Sequence, residues 1–437
     1  MRVLTRAVLA SGLTVAAVLA VASVALALTL SRHPSLPRPP GWTLTELSRI
    51  DTVVGADLRR NPGSALTNER VLTVTQRDLE ILLSQTASRW GEGRFQVRLE
   101  TGRASLRASL ALPDTLLGPI FSPLVGPQNL AWLNLDARLS DATGMPIIES
   151  LQLGAVPVPG WLAGLALEWG LRQAVPRSQA LAHIVQRVGF ARGQTKLTLD
   201  WRDESPRALL AALLPGDEQQ RVQAYAEHLT LLTRGLAARS TVSMADLIAP
   251  MFALAQRRSV GGAAAAAENR AALLALTLYA NGRSLAPAMP NRSWRPSRNT
   301  ALTLNGRPDS PLHFLISAAL AAQAGGGLAD AVGLYKEASD AQGGSGFSFN
   351  DLAADRAGTR FGLLAMQSPL QLQALLAAGV RESDLMPDVG DLPDALTAAD
   401  FAQRFGRVGT PEYSRMLADI EARLDRCRVL KVGAATS

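Results

Sequence analysis

Between His313 and Gly362 the sequence gathers His313, Lys336, Glu337, Asp340, Asp351 and Asp355 around the glycine-rich turn Gly343-Gly344-Ser345-Gly346. One imidazole among several carboxylates can hold a divalent ion such as Mn, Mg, Ca or Fe, or Zn with an open position. Such an ion can activate water for hydrolysis. On that chemistry the candidate metal ligands are His313, Glu337, Asp340, Asp351 and Asp355. A metal-free alternative makes Glu337, His313 and Lys336 the catalytic candidates, with Glu337 or His313 as acid or base. A third reading is a buried polar network joining three helices. There Lys336, protonated carboxyls or an arginine such as Arg356 or Arg360 would offset the negative charge. No Cys pair, His-x-x-x-His spacing, Gly-x-Ser-x-Gly, His-Glu-x-x-His or Walker loop points to a conventional catalytic motif.

The elements that would position these groups are helical. His313 to Ala322 reads as a short apolar helix with His313 in its first turn, ended by Gly325-Gly326-Gly327. A second helix over 328–339 would place Glu337 and Asp340 on one face, with Lys336 four residues before Asp340. Ser348 followed by Asp351 has the spacing of an N-cap and its N3 partner. In the helix so begun, Asp351, Asp355, Gly358 and Gly362 form one stripe, and the two glycines invite close approach of another helix. Only three of the 44 basic residues are lysines, Lys196, Lys336 and Lys431, so Lys336 stands out as a compact ammonium where arginine is the usual cation.

The order His-Phe, Lys-Glu-x-x-Asp, a glycine-rich turn and Asp-x-x-Ala-Asp-x-x-Gly resembles the small periplasmic lipoproteins of the YfiM type. More distantly it is similar to VanZ-like membrane proteins. The resemblance covers about residues 309 to 363 and brings no reaction with it. The chain departs from it in having no lipobox cysteine: its single Cys is Cys427. One cysteine also excludes an intrachain disulfide.

Two arginines precede a run without charge from Ala7 to Ser31. That run exceeds the roughly 20 apolar residues a membrane span needs. It predicts an uncleaved signal anchor, a transmembrane helix within residues 1–32, with Ala25-Leu26-Ala27 as the rival cleavage site. The expected location is therefore a bacterial inner membrane, crossed once, with the bulk of the chain in the periplasm. The net charge of +7 is spread without a basic tract, which argues against nucleic-acid binding.

Pro34, Pro37, Pro39 and Pro40 suggest a stiff linker over 33–65. Alternating apolar residues from 66 to 204 predict an α+β domain with a curved antiparallel sheet, an apolar helix from Trp161 to Gln173 and another from Ser178 to Val188. Its Thr-x-x-Asp-Leu helix, the Leu133-Asn134-Leu135 strand and the segment Leu151 to Pro159 resemble YpmS-type proteins, which are similar to tubular lipid-binding domains. That resemblance implies a groove for a lipid or other amphiphile beside Trp132, Trp161, Leu162 and Leu165, against an ordinary sheet–helix core. Residues 205–308 read as a helical connecting region and 309–437 as a helical domain carrying the polar cluster. His228, which has no acidic residue three or four positions away, and His183 read as packed or surface residues. The expected fold is thus α+β: a transmembrane helix, a curved sheet with helices, then an all-helical C-terminal domain. The expected function is binding or assembly in the cell envelope involving a lipid or envelope component, with a metal-assisted hydrolase as the alternative.

Overall fold

The computed structural model describes residues 28–49, 69–87, 92–113, 130–143, 146–165, 185–200, 216–234, 236, 240–281, 300–324, 336–337, 340–341 and 344–431. The fold is α+β and divides into two compact units. The first comprises Met1–Pro39, Thr73–Gly170 and Val185–Thr198, and the second comprises Pro40–Leu72, Leu171–Ile184 and Leu199–Ser437.

The first unit is built on strands β1 (Leu30–Ser31), β2 (Glu69–Thr75), β3 (Gly93–Glu100), β4 (Arg103–Pro113), β5 (Leu130–Ser140), β6 (Ala142–Thr143), β7 (Ile147–Leu153), β8 (Val156–Pro159), β9 (Val185–Ala191) and β10 (Gln194–Asp200). One sheet runs β3-β4-β5-β7-β8, with β1 added on β5, and a second runs β2-β10-β9-β6. The register of β3, β4 and β5 pairs Val97 with Leu106 and Leu106 with Ala137, so apolar side chains of three strands share one face. That face meets Leu79 and Leu83 of helix α1 (Gln76–Ala87) and Phe190 of β9 around Val97, Leu99 and Ala104. Helix α1 starts where the spacing predicts: Thr75 Oγ1 donates to Asp78 Oδ2 at 2.6 Å, and the Asp78 amide donates to Thr75 Oγ1 at 3.3 Å.

Three expectations fail in this unit. The helix expected over 178–188 gives way to a strand from Val185, because Val188 and Phe190 alternate inward with a period of two; residues 178–184 lie outside the described residues.

The second failure is the single membrane span, and with it the inner-membrane, periplasm-facing placement. Among the described residues no helix is long and apolar enough to cross a membrane. The end of the apolar run is sheet: Leu30 and Ser31 pair with Leu133 and Trp132. The Ala155 amide donates to the Leu28 carbonyl at 2.9 Å, and a Cβ on Gly154 would come within 2.5 Å of that oxygen. Residues 1–27 lie outside the described residues. The prolines after it do not mark a free spacer through residue 39, for the Ser35 amide donates to Ser109 Oγ at 3.0 Å and Asn134 Oδ1 at 2.9 Å, and Leu36 is buried.

Among the described residues of the second unit, the helices of eight or more residues are α2 (Gly216–Thr233), α3 (Met244–Arg258), α4 (Gly262–Ala280), α5 (Ser310–Ala324), α6 (Phe349–Gln367), α7 (Pro369–Ala377), α8 (Ala398–Phe405) and α9 (Pro411–Leu424). Two short strands, β11 (Thr241–Ser243) and β12 (Ala301–Thr303), pair in parallel. The core is aromatic at two places: Phe314 and Phe252 flank Phe361, while Phe347, Phe349, Phe401, Phe405 and Tyr413 pack together. The Trp42 and Val408 backbones exchange two hydrogen bonds of 2.9 Å, which ties the segment after Pro40 to this unit.

Helices α5 and α6 form its axis. A Cβ on Gly358 would lie 2.0 Å from the Phe314 carbonyl oxygen, and one on Gly362 would lie 2.1 Å from that of Ala318. Both contacts advance four residues on each helix, so the two helices run parallel with their backbones touching through the glycine stripe.

Candidate metal centre

His313 sits in the first turn of α5, and Ser317 follows one turn later. Asp351 and Asp355 lie one turn apart on α6, on the stripe that continues into Gly358 and Gly362. Because the glycines let the two backbones touch, the groups just before that contact meet directly. His313 Nδ1 lies 3.1 Å from Asp355 Oδ1, and His313 Nε2 lies 3.4 Å from Asp351 Oδ2. Ser317 Oγ donates to Asp355 Oδ1 at 2.9 Å.

The start of α6 is set by Ser348, whose Oγ accepts the Asp351 amide at 3.0 Å as the spacing predicts. The reciprocal half of the cap departs from expectation. The Ser348 amide donates to Glu337 Oε2 at 3.0 Å, so a carboxylate from a distant segment takes the place that Asp351 would have filled. Asp351 is thereby turned toward His313. Residues 336–337 are helical; most of the helix expected over 328–339 lies outside the described residues.

His313, Glu337 and Asp355 each bring one ligating atom to within 4.8 Å of the others. Glu337 is fully buried, Asp355 is 3% exposed and His313 is 7% exposed. Asp355 Oδ2 is buried with no hydrogen-bond partner among the described residues. A lone buried carboxylate oxygen beside an imidazole and a second carboxylate fits a divalent cation, whose oxygen and nitrogen donors these residue types supply.

Of the other expected ligands, Asp340 is held away: its Oδ2 accepts Lys336 Nζ at 2.7 Å. Lys336 also lies 3.3 Å from Glu337 Oε1 and is half exposed, so it links the buried glutamate to the surface. Asp351 stands behind His313 and is 3.5 Å from the guanidinium of Arg307. Arg307 escaped notice in the sequence, where its only signal was a place six residues before His313 in a Pro/Arg-rich stretch. It bonds Asp309 at 2.7 Å and Asp394 at 2.8 Å as well. Arg356 and Arg360, expected as possible partners of the cluster, instead clamp α9: both bond Glu421, and Arg360 bonds Asp425 at 2.6 Å. They leave α6 on the side away from the Asp351–Gly362 stripe.

The charge balance shows in the direction of the pKa shifts. Burial pushes Glu337 up to about 7, with Asp351 and Asp355 adding repulsion and Lys336 and His313 opposing it. Burial alone would lower His313, but the hydrogen bond and charge of Asp355 and the charge of Asp351 outweigh it and leave the imidazole above its ordinary value. Burial also raises Asp351 against the pull of His313. Three carboxylates therefore crowd one imidazole with more negative charge than it can offset.

The other expected sites are separate. Trp161, Leu162 and Leu165 are exposed on the helical segment 160–165. Trp132 is buried within its sheet, with the Arg94 guanidinium 4.8 Å from its ring centre, so it is not an exposed wall beside them. His228 lies on α2, where burial and the charge of Arg257 lower its pKa; His183 lies outside the described residues. Comparison with models of protein families, with curated proteins and with solved structures finds no match to this chain.

Proposed function

We propose that the helical unit binds one divalent cation through His313, Glu337 and Asp355, and that the chain is a metal-assisted hydrolase. The observation that carries this reading is the convergence of three buried ligating atoms within 4.8 Å, one of their carboxylates leaving Asp355 Oδ2 without a partner among the described residues. Three protein ligands, not four, are the pattern of a site that keeps positions open for water and substrate. When bound, the ion would lower the pKa of a water and polarise the bond to be cleaved. The chain's own residues do the rest. Ser317 holds Asp355 in place, Ser348 fixes Glu337 through its amide, and half-exposed Lys336 offers a positive charge beside Glu337 for an anionic group.

The test is metal analysis of the purified full chain, followed by titration with Mn2+ and Zn2+. The reading expects about one ion per chain, a lower melting temperature after chelation and much weaker uptake by Asp355→Asn. It expects metal-dependent cleavage in a panel of ester and phosphoester substrates. If no ion is taken up and chelation leaves melting unchanged, the cluster is a protein-only network and the hydrolase reading falls.

A second reading, a binding role toward a lipid or other amphiphile, is favoured by the exposure of Trp161 at 70%, Leu165 at 56% and Leu162 at 45%. Large apolar side chains grouped in this way mark contact sites more often than bare surface. Uptake of a fluorescent fatty acid by the full chain, lost in Trp161→Ala, would support it. No uptake by the unsubstituted chain would leave the metal reading alone.

A further inference from the structure

We infer that Asp351 is not a ligand of the ion but the residue that aims His313 at it, through an outer carboxylate–imidazole pair. The inference rests on the metal reading above and adds which imidazole nitrogen ligates. The two ring nitrogens of His313 face different partners: Nδ1 is 3.1 Å from Asp355 Oδ1, and Nε2 is 3.4 Å from Asp351 Oδ2. The convergent set contains His313, Glu337 and Asp355 and leaves Asp351 out.

Two donors on one tetrahedral ion, each at roughly 2.0–2.1 Å from it, stand about 3.3 Å apart. Both imidazole contacts are near that value, so the choice between them rests on the convergence with Glu337, which Asp355 joins and Asp351 does not. The ion would take the place of the proton between Nδ1 and Asp355, and that proton would leave to solvent. Nε2 would keep its hydrogen on the side of Asp351 Oδ2, 3.4 Å away. Such an outer carboxylate fixes tautomer and ring orientation in many imidazole–metal sites. The backbone of Asp351 is held in place by its amide, which Ser348 Oγ accepts at 3.0 Å. Arg307 lies 3.5 Å from Asp351 Oδ1, a buried oxygen with no hydrogen-bond partner among the described residues. Arg307 is in turn bonded by Asp309 and Asp394, which keep its charge beside that oxygen.

The experiment uses the full chain loaded with Zn2+ and 15N-labelled at histidine. The expected spectrum shows His313 with Nδ1 metal-bound and Nε2 protonated. Asp351→Asn should weaken Zn2+ affinity by roughly 10- to 100-fold while retaining a bound ion, against near-complete loss in Asp355→Asn. Coordination through Nε2 in the unsubstituted chain would overturn the inference whatever the variants do. So would an Asp351→Asn affinity equal to that of the unsubstituted chain, or a loss as complete as that of Asp355→Asn. Failure of the unsubstituted chain to take up Zn2+ or any other divalent ion would overturn the metal reading and this inference with it. Uptake with the wrong nitrogen overturns this one alone.

Discussion

Gly358 of α6 lies directly against the carbonyl of Phe314 on α5, with room for a hydrogen and none for a methyl group, since an added Cβ would sit 2.0 Å from that oxygen. Beside that contact, His313, one residue before Phe314, meets Asp355, three residues before Gly358. The packing of two residues without chemistry therefore sets the distance between two residues with it.

Gly358→Ala should force the helices apart. Overpacking a close contact costs roughly 1–3 kcal/mol, and here the obstacle is backbone, which yields less than a side chain. Urea denaturation should show a lower midpoint, and metal uptake should fall with it because His313 is drawn from Asp355. A midpoint equal to that of the unsubstituted chain would contradict the direct backbone contact.

Ser348→Ala removes the hydroxyl that accepts the Asp351 amide. A lost N-cap of this kind costs about 1 kcal/mol. The Ser348 amide that holds Glu337 survives the change, so Glu337 should stay in place. Calorimetry should report a modest drop in melting temperature, with metal stoichiometry maintained.

The chelated protein should lose stability as pH rises from 5 to 8. Glu337 is raised from 4.5 to about 7. Its contribution is therefore fully present below the unfolded value and lost as pH rises through about 7. His313, also raised, acts in the same sense, its share fading as pH passes its elevated folded value. For Glu337 the rise from 4.5 to about 7 corresponds to on the order of 3 kcal/mol. Glu337→Gln should flatten the dependence in urea titrations at several pH values; equal slopes for both proteins would refute the assignment.

Glu421→Ala should leave Arg356 and Arg360 without the carboxylate both of them bond. Losing hydrogen bonds to a partly buried charged group costs roughly 1–3 kcal/mol. The clamp joins α6 to α9 and not to the cluster, so metal uptake should be unaffected. A loss of uptake equal to that of Asp355→Asn would instead place these arginines in the site.

The sequence by itself determined the local pieces. Ser348 and Thr75 marked helix starts because a side-chain oxygen three residues from an orphan amide has few other geometries. The period of four, three and four in Asp351, Asp355, Gly358 and Gly362 placed carboxylates and glycines on one stripe, since a helix fixes which residues share a face. Alternation exposed the strands β3, β4 and β5. Only tertiary structure decided which groups meet. Glu337 replaces Asp351 at the Ser348 amide, and that choice depends on where a distant segment packs. Arg307 joins the cluster, while Arg356 and Arg360, nearer to it in sequence, turn to α9. Leu30 and Ser31, at the end of the apolar run, pair with β5: apolar residues satisfy their backbone groups in a sheet as well as in a helix, and composition does not distinguish the two.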